Sequence, residues 1–331
     1  MLRNTTILLA AVLLLALVLP AAAAKPSGDV FIDPAEAGPD FAVQGEYIGE
    51  SLHEGKTGKY GVQVIALGDG KFQCVGYTGG LPGAGWDGGE KEQIEGAYVD
   101  GTATFSIKND HIVLEIKDGV MTVTKNGDTK VGELKKIERK SPTLGAKPPA
   151  GAVVLFDGNT PDAFKGGRMT EDGLLMEGVT SKQNFGSFTL HIEFRTPFKP
   201  KARGQGRGNS GFYAQGRYEV QILDSFGLEG KNNECGGVYS ISDPKVNMCL
   251  PPLSWQTFDV EFTTAKYEGD KKVASARMTV RHNGVPVHED LELPRTTTAA
   301  PVRESAEPGP IYLQNHGNPV RFRNIWVLEK K

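Results

Sequence analysis

Long basic runs are missing from this chain, and so is any dense grouping of cysteines. Lys and Arg number 37 against 40 Asp and Glu, a formal net charge of -3. Such a balance leaves no footprint for nucleic acid or for an anionic membrane surface. The three cysteines, Cys74, Cys235 and Cys249, lack the paired spacings of a zinc site, and nothing supports a cysteine nucleophile. Cys74 sits in an aliphatic strand pattern and reads as a small core residue. Cys235 and Cys249 share one stretch and are disulfide candidates, with two buried thiols as the alternative. Closing so short a loop adds about 3 kcal/mol in the chain-entropy model. Convincing amphipathic helices are also absent from 41–140, so the glycine-rich stretch 79–89 lacks the helix N-terminus that a phosphate loop requires. It reads as a surface loop carrying Trp86, with sugar stacking as the weaker alternative. Arg203-Gly204-Gln205-Gly206-Arg207-Gly208 likewise has no strand–loop–helix unit around it and reads as a basic loop.

What is present divides the chain. Apolar residues make up 39% and charged residues 23% of 331 positions, enough for two packed units. Residues 1–24 read as a cleaved signal peptide: Arg3, the apolar run 7–19, Pro20 and the small residues Ala22-Ala23-Ala24. The run is short for a bilayer span of about 20 residues, so a secreted or periplasmic product with no membrane insertion after cleavage is expected. Residues 25–40 form a tether and 41–140 a small β-domain. Within it, strand-like runs alternate with Gly68-Asp69-Gly70, Asn109-Asp110, Asp118-Gly119 and Asn126-Gly127 turn signals. Residues 141–152, with paired prolines, form an extended linker between separable modules.

The second half, 153–331, alternates with period two. Phe188, Leu190, Ile192 and Phe194 interleave with Thr189, His191, Glu193 and Arg195, and Tyr218, Val220 and Ile222 interleave with Arg217, Glu219 and Gln221. Many short strands, each with one apolar face, predict an all-β chain whose C-terminal part is a β-sandwich or jelly roll. The polar faces are rich in residues that orient polar ligands, with a salt-bridged surface as the plain alternative.

Asn209-Ser210-Gly211-Phe212 followed by Arg217-Tyr218-Glu219-Val220-Gln221-Ile222-Leu223-Asp224 resembles the 3-keto-disaccharide hydrolase domain family. Leu155-Phe156-Asp157-Gly158, Cys235-Gly236-Gly237-Val238-Tyr239, Trp255-Gln256-Thr257, Leu313-Gln314-Asn315-His316-Gly317 and Val320-Arg321-Phe322-Arg323-Asn324-Ile325 extend the likeness, in order, over nearly the whole second half but not over 25–150. The resemblance implies a concanavalin A-like jelly roll, the fold also of lectins and laminarinase-type glucanases. Those glucanases carry two acidic residues and an Asp at i, i+2 and i+5. Glu219, Gln221 and Asp224 fill that spacing here, but the neutral Gln221 departs from a two-carboxylate retaining mechanism. Strict alternation would turn Asp224 to the opposite face unless the strand ends near Leu223.

A 3-keto sugar opens another route. Its ketone acidifies the proton at C2, so a base can form an enolate and the C1 substituent can leave by β-elimination, with or without later hydration. The expected roles are Glu219 or Asp224 as base or acid, His316 as a second acid–base group, and Arg217 or Arg323 stabilising negative charge. Gln221 and Asn209 would hold sugar hydroxyls, with Glu193 and Arg195 on the substrate-binding face. A divalent metal held by His316 and a carboxylate is the alternative stabiliser of the enolate, although the sequence shows no dense ligand spacing for one and calls for no cofactor otherwise. The expected partner is an oligosaccharide or glycoside substrate. Rival readings are a non-catalytic lectin-like module, an ordinary hydrolase of unoxidised glucans, and an envelope interaction protein. Oligomeric state leaves no mark in the sequence.

Overall fold

The computed structural model of the chain describes residues 30–330 apart from 54, 109 and 110; the expected signal peptide, 1–24, lies outside the described residues. Residues 45–137 form a closed eight-stranded antiparallel barrel in which each strand pairs with the next, and Gly45–His53 pairs with Thr129–Ile137 to complete it. Closure removes the open edges that would otherwise invite pairing with another chain. Asp69-Gly70, Asp100-Gly101 and Asp118-Gly119 place both turn residues at positive φ, as tight two-residue hairpins require, and Asn126-Gly127 does the same within a three-residue loop. Alternate residues of the strands, among them Tyr47, Val64, Phe72, Phe105, Met121 and Leu134, fill the interior.

The second half is the expected two-sheet sandwich. One sheet has five strands in the order Phe164–Lys165, Val179–Phe185, Gly309–Leu313, Ser210–Ala214, Tyr218–Ile222. The other is built around Arg321–Glu329, Phe188–Arg195, Gln256–Thr263, Ala276–His282 and Val285–Leu293. Inward residues of both sheets form one core. Phe194 meets Phe258 with ring centroids 4.7 Å apart, and Tyr218 of the first sheet meets Phe262 of the second at 5.6 Å. Each fully buried ring is worth about 1.5–3 kcal/mol of transfer free energy.

The halves do not behave as the expected separable modules. Ile65, Val75, Tyr77 and Leu81 of the barrel belong to the sandwich core, while Phe198 and Leu253 of the sandwich belong to the barrel core. The described part of the tether is also fixed: Phe31 exchanges both backbone hydrogen bonds with Phe198 at 2.9 Å, and Phe41 packs edge-on against the same ring. Leu81 draws the 79–89 loop inward, and Trp86, half-buried, sits edge-on against Tyr77 at 5.1 Å.

The linker is a bound strap rather than a free spacer. The Ser141 and Thr257 hydroxyls are 2.6 Å apart, Thr143 Oγ1 donates to Asp259 Oδ2 at 2.6 Å, and the Gly145 amide donates to Glu193 Oε1 at 2.6 Å. The Ala146 carbonyl accepts from Asn324 and from the Trp326 indole, both at 3.1 Å. Residues 142–145 turn instead of extending as expected, with the Leu144 amide donating to Ser141 O at 3.3 Å and the Ala146 amide to Thr143 O at 3.0 Å, and backbone groups left over find partners on the sheet. Among the described residues no helix is long and apolar enough to cross a membrane.

Candidate active site

The hairpin Ser210–Ala214/Tyr218–Ile222 carries the site. Gln215 and Gly216 turn it with both φ values positive, and the register sets Tyr213 opposite Glu219 and Gly211 opposite Gln221. Phe212, Val220 and Ile222 enter the core, so alternation sends Tyr213, Glu219 and Gln221 to the outer face. A cleft of about 90 Å³ lies over that face, lined by these three together with Asn209, Gln314 and His316, and by Gln205, Tyr239, Thr298 and Ala299 from flanking loops. Gly211 makes room for the acidic group: a Cβ at that position would overlap Glu219 Oε1.

Glu219 is 3% exposed. Burial drives its pKa up to about 7, and the Tyr213 phenol beside it pulls only partly the other way. Burial first, then the charge of Glu219, pushes the Tyr213 hydroxyl upward, so it stays protonated. Gln314 Nε2 donates to that hydroxyl at 3.0 Å. The result is a carboxyl that exchanges its proton near neutrality, the condition a general acid–base group needs.

Around it lies a set of amides. Asn209 Nδ2 and Gln221 Nε2 both donate to Gln205 Oε1, at 2.9 and 2.8 Å. Gln221 Oε1 accepts from the Ile222 amide at 3.1 Å. Asn209 Oδ1 and Gln314 Oε1 are buried and have no partner, so two acceptors in the cleft wall are unmatched, as a site for sugar hydroxyls would leave them. His316 is exposed at the rim; its backbone carbonyl accepts from Asn318 Nδ2 at 3.0 Å, while its ring makes no hydrogen bond among the described residues. Among the described residues no group of three or more His, Cys, Asp and Glu is placed to hold a metal ion. Glu219 and His316 are the two such side chains lining the cleft.

Five of the expected site residues lie elsewhere. The strand does end at Ile222, but Asp224 then turns into the protein, 2% exposed, and accepts from Arg207 Nε at 2.7 Å. Arg217 spends its donors on the carbonyls of Arg303 and Glu307, on Gln215 Oε1 and on Ser305 Oγ, at 2.7–2.9 Å. It fastens the 296–308 loop beside the cleft. Glu193, Arg195 and Arg323 sit on the other sheet, whose outer face is the opposite side of the sandwich. Glu193 accepts from Arg323 Nε at 2.6 Å and from Asn324 Nδ2 at 2.9 Å, and both arginines stack on Trp255. Of the two alternatives for Cys235 and Cys249, the structure has free, buried thiols. Cys249 Sγ donates to Leu223 O at 3.4 Å.

Tyr213, Gln314, Gln205 and Tyr239 were not expected as site residues. Tyr213 follows the Asn209-Ser210-Gly211-Phe212 string directly, and its place on the same outward register as Gly211 is the signal that finds it.

The model of the 3-keto-alpha-glucoside-1,2-lyase-like domain matches residues 151–328, the whole sandwich and the strap's end. The chain belongs to this family. Its sandwich is that of a carbohydrate-active enzyme. Among solved structures it is similar to a candidate glycosyl hydrolase from Parabacteroides distasonis ATCC 8503, with 32% identity and a TM-score of 0.50, covering 55% of this chain and 85% of that one. A second candidate glycosyl hydrolase from the same organism is more distant, at 18% identity and TM-score 0.42, covering 55% of this chain and 94% of that one. No curated protein matches the chain.

Proposed function

We propose that this protein cleaves the glycosidic bond of 3-keto-glycosides by elimination, with Glu219 as the general base. The observation that carries the reading is a buried carboxyl at the cleft wall held at about pH 7 amid amides suited to a sugar. Glu219 takes the proton from C2; the C2–H electron pair forms the C2–C3 double bond, and the charge moves to the ketone oxygen. As the carbonyl re-forms, the pair shifts to C1–C2, the C1–O bond breaks, and the departing alkoxide takes a proton. His316 at the rim, or Glu219 once protonated, returns that proton. With Arg217 and Arg323 turned away, the Tyr239 hydroxyl, and the Tyr213 hydroxyl once Glu219 has taken its proton, are the donors at the cleft wall that can stabilise the enolate. Water can add to the product afterwards. The neutral Gln221 fits this route better than a two-carboxylate hydrolysis. Export to the periplasm or beyond, from the signal-like 1–24, belongs to the same proposal.

Glu219→Gln should lower kcat/KM on a 3-keto-disaccharide by at least ~10³-fold with the fold intact, and neither protein should act on the unoxidised parent. In the unsubstituted enzyme, the base must be ionised, so kcat/KM should climb with pH and level off above about 7. Near-normal turnover by the variant, or a profile flat from pH 5 to 9, would remove Glu219 from the role.

A further inference from the structure

A second recess, of about 510 Å³, opens between barrel and sandwich. Phe41, Gln44 and Lys136 line it from the barrel side, and Leu253, Trp255 and Arg323 from the sandwich side. Four cationic side chains border it, Lys136, Arg139, Lys140 and Arg323, against two carboxylates, Glu46 and Glu138. Glu46 is already committed to Arg139, whose Nε lies 2.6 Å away, and Glu138 pairs loosely with Lys140 on the exposed rim at 3.8 Å.

That leaves Lys136 without a carboxylate, and Arg323, paired with Glu193 through Nε alone, on the opposite wall. Lys136 is half-buried; its ammonium donates to the Ala42 carbonyl at 2.6 Å and has no carboxylate partner among the described residues. Burial lowers its pKa to about 8. Arg323 gives Nε to Glu193, and its guanidinium lies 4.0 Å from the centre of the half-buried Trp255 ring. Gln44, 2% exposed, uses Oε1 to accept from the Ala66 amide, while its Nε2 is buried without a partner. A sheltered cation without a counter-ion and an unmatched amide donor both cost free energy unless something arrives to meet them. Aromatic and apolar walls around convergent donors are the makings of a small-molecule site.

We infer that this recess is a second, non-catalytic binding site for an acidic saccharide. Its carboxylate is met by Lys136 and Arg323, and its ring lies against Trp255 and Phe41. The saccharide part of the inference rests on the carbohydrate reading of the family; the charge part does not.

Calorimetric titration of the full chain with digalacturonate, with maltose and with inorganic phosphate tests it. Saturable binding is expected for digalacturonate, weaker at high salt, and at least ~10-fold tighter than for maltose or phosphate. Lys136→Met and Trp255→Ala should each weaken it ~10-fold or more, whereas Lys136→Arg, which keeps the charge, should stay within a few-fold and exposes any loss caused by misfolding. Glu219→Gln should leave it unchanged, so a failure of the catalytic assignment and a failure of this one are read separately. Maltose or phosphate binding as tightly as digalacturonate, an effect of Glu219→Gln on binding, or no saturable digalacturonate binding would each overturn the proposal.

Discussion

At the scale of single residues, Glu219 depends on an atom that is not there. Gly211 faces Gln221 across the hairpin, and any Cβ on it would occupy the place of Glu219 Oε1. Gly211→Ala should therefore push the carboxyl out of its position without removing it. Misplacement on the order of 1 Å can cost about 10²-fold in rate, so kcat/KM should fall by roughly 10–100-fold while Glu219 stays chemically intact. A matched thermal unfolding curve with unaltered kinetics would show that the carboxyl tolerates the methyl group. Tyr213 is the other dependency at this scale: it holds its proton because burial and the neighbouring charge both push it upward.

At the scale of elements, the strap 141–146 and the strand Phe188–Arg195 stabilise each other through Glu193. Burial alone would raise this carboxyl, but hydrogen bonds from His191, Asn324, the Gly145 amide and Arg323 outweigh it and hold it at about 2, against an ordinary 4.5. A folded-state pKa below the unfolded one adds stability that is fully present above pH 4.5 and is lost as pH falls through about 2. The difference corresponds to about 3 kcal/mol. Denaturant unfolding of Glu193→Gln should show a deficit of that order at pH 7, shrinking between pH 4.5 and 2; a deficit independent of pH would mean the network is held by shape and not by charge. Period-two alternation made the outward direction of both Glu193 and Glu219 legible in the sequence. It carried no information about which sheet each strand joins, because strand order is set by long-range pairing. That is why residues on two opposite outer faces were grouped as one site, and why Asp224, beyond the strand end, could not be aimed.

At the scale of the molecule, the sandwich and its family were readable because their motifs run in order through one half of the chain. The closed barrel was not: Lys91–Val99 and Thr129–Ile137 carry many polar residues and bury little of their length, which weakens the apolar side of the alternation that marks a strand. Nor could the joining of the halves be foreseen, since Arg207, which pairs with Asp224 at their junction, lies in a stretch that reads as a basic loop. Both members are buried, with the Arg207 guanidinium also donating to the Ala66 carbonyl of the barrel at 3.2 Å. Arg207→Met would leave Asp224 buried without its cation, at a cost of about 3–5 kcal/mol. Its melting temperature should drop in a single transition, because the cores are shared; two separated transitions would contradict that sharing.

The same junction has an evolutionary consequence. Arg207 and Arg203 take hold of the barrel through main-chain oxygens, Ala66 O and Leu67 O, and between them the 203–207 segment presents the Gln205 amide oxygen to Asn209 and Gln221 in the cleft. Main-chain acceptors are offered by any residue, so these two contacts constrain positions 66 and 67 through spacing, while the side chains there answer to packing: Ala66 is fully buried in the barrel core and Leu67 packs against the sandwich core. The length of the barrel's second strand cannot drift: one inserted residue before the Asp69-Gly70 turn would shift both carbonyls by about 3.3 Å along the strand. Related chains that keep this barrel should therefore preserve the spacing of this hairpin more strictly than the side chains that supply the two carbonyls.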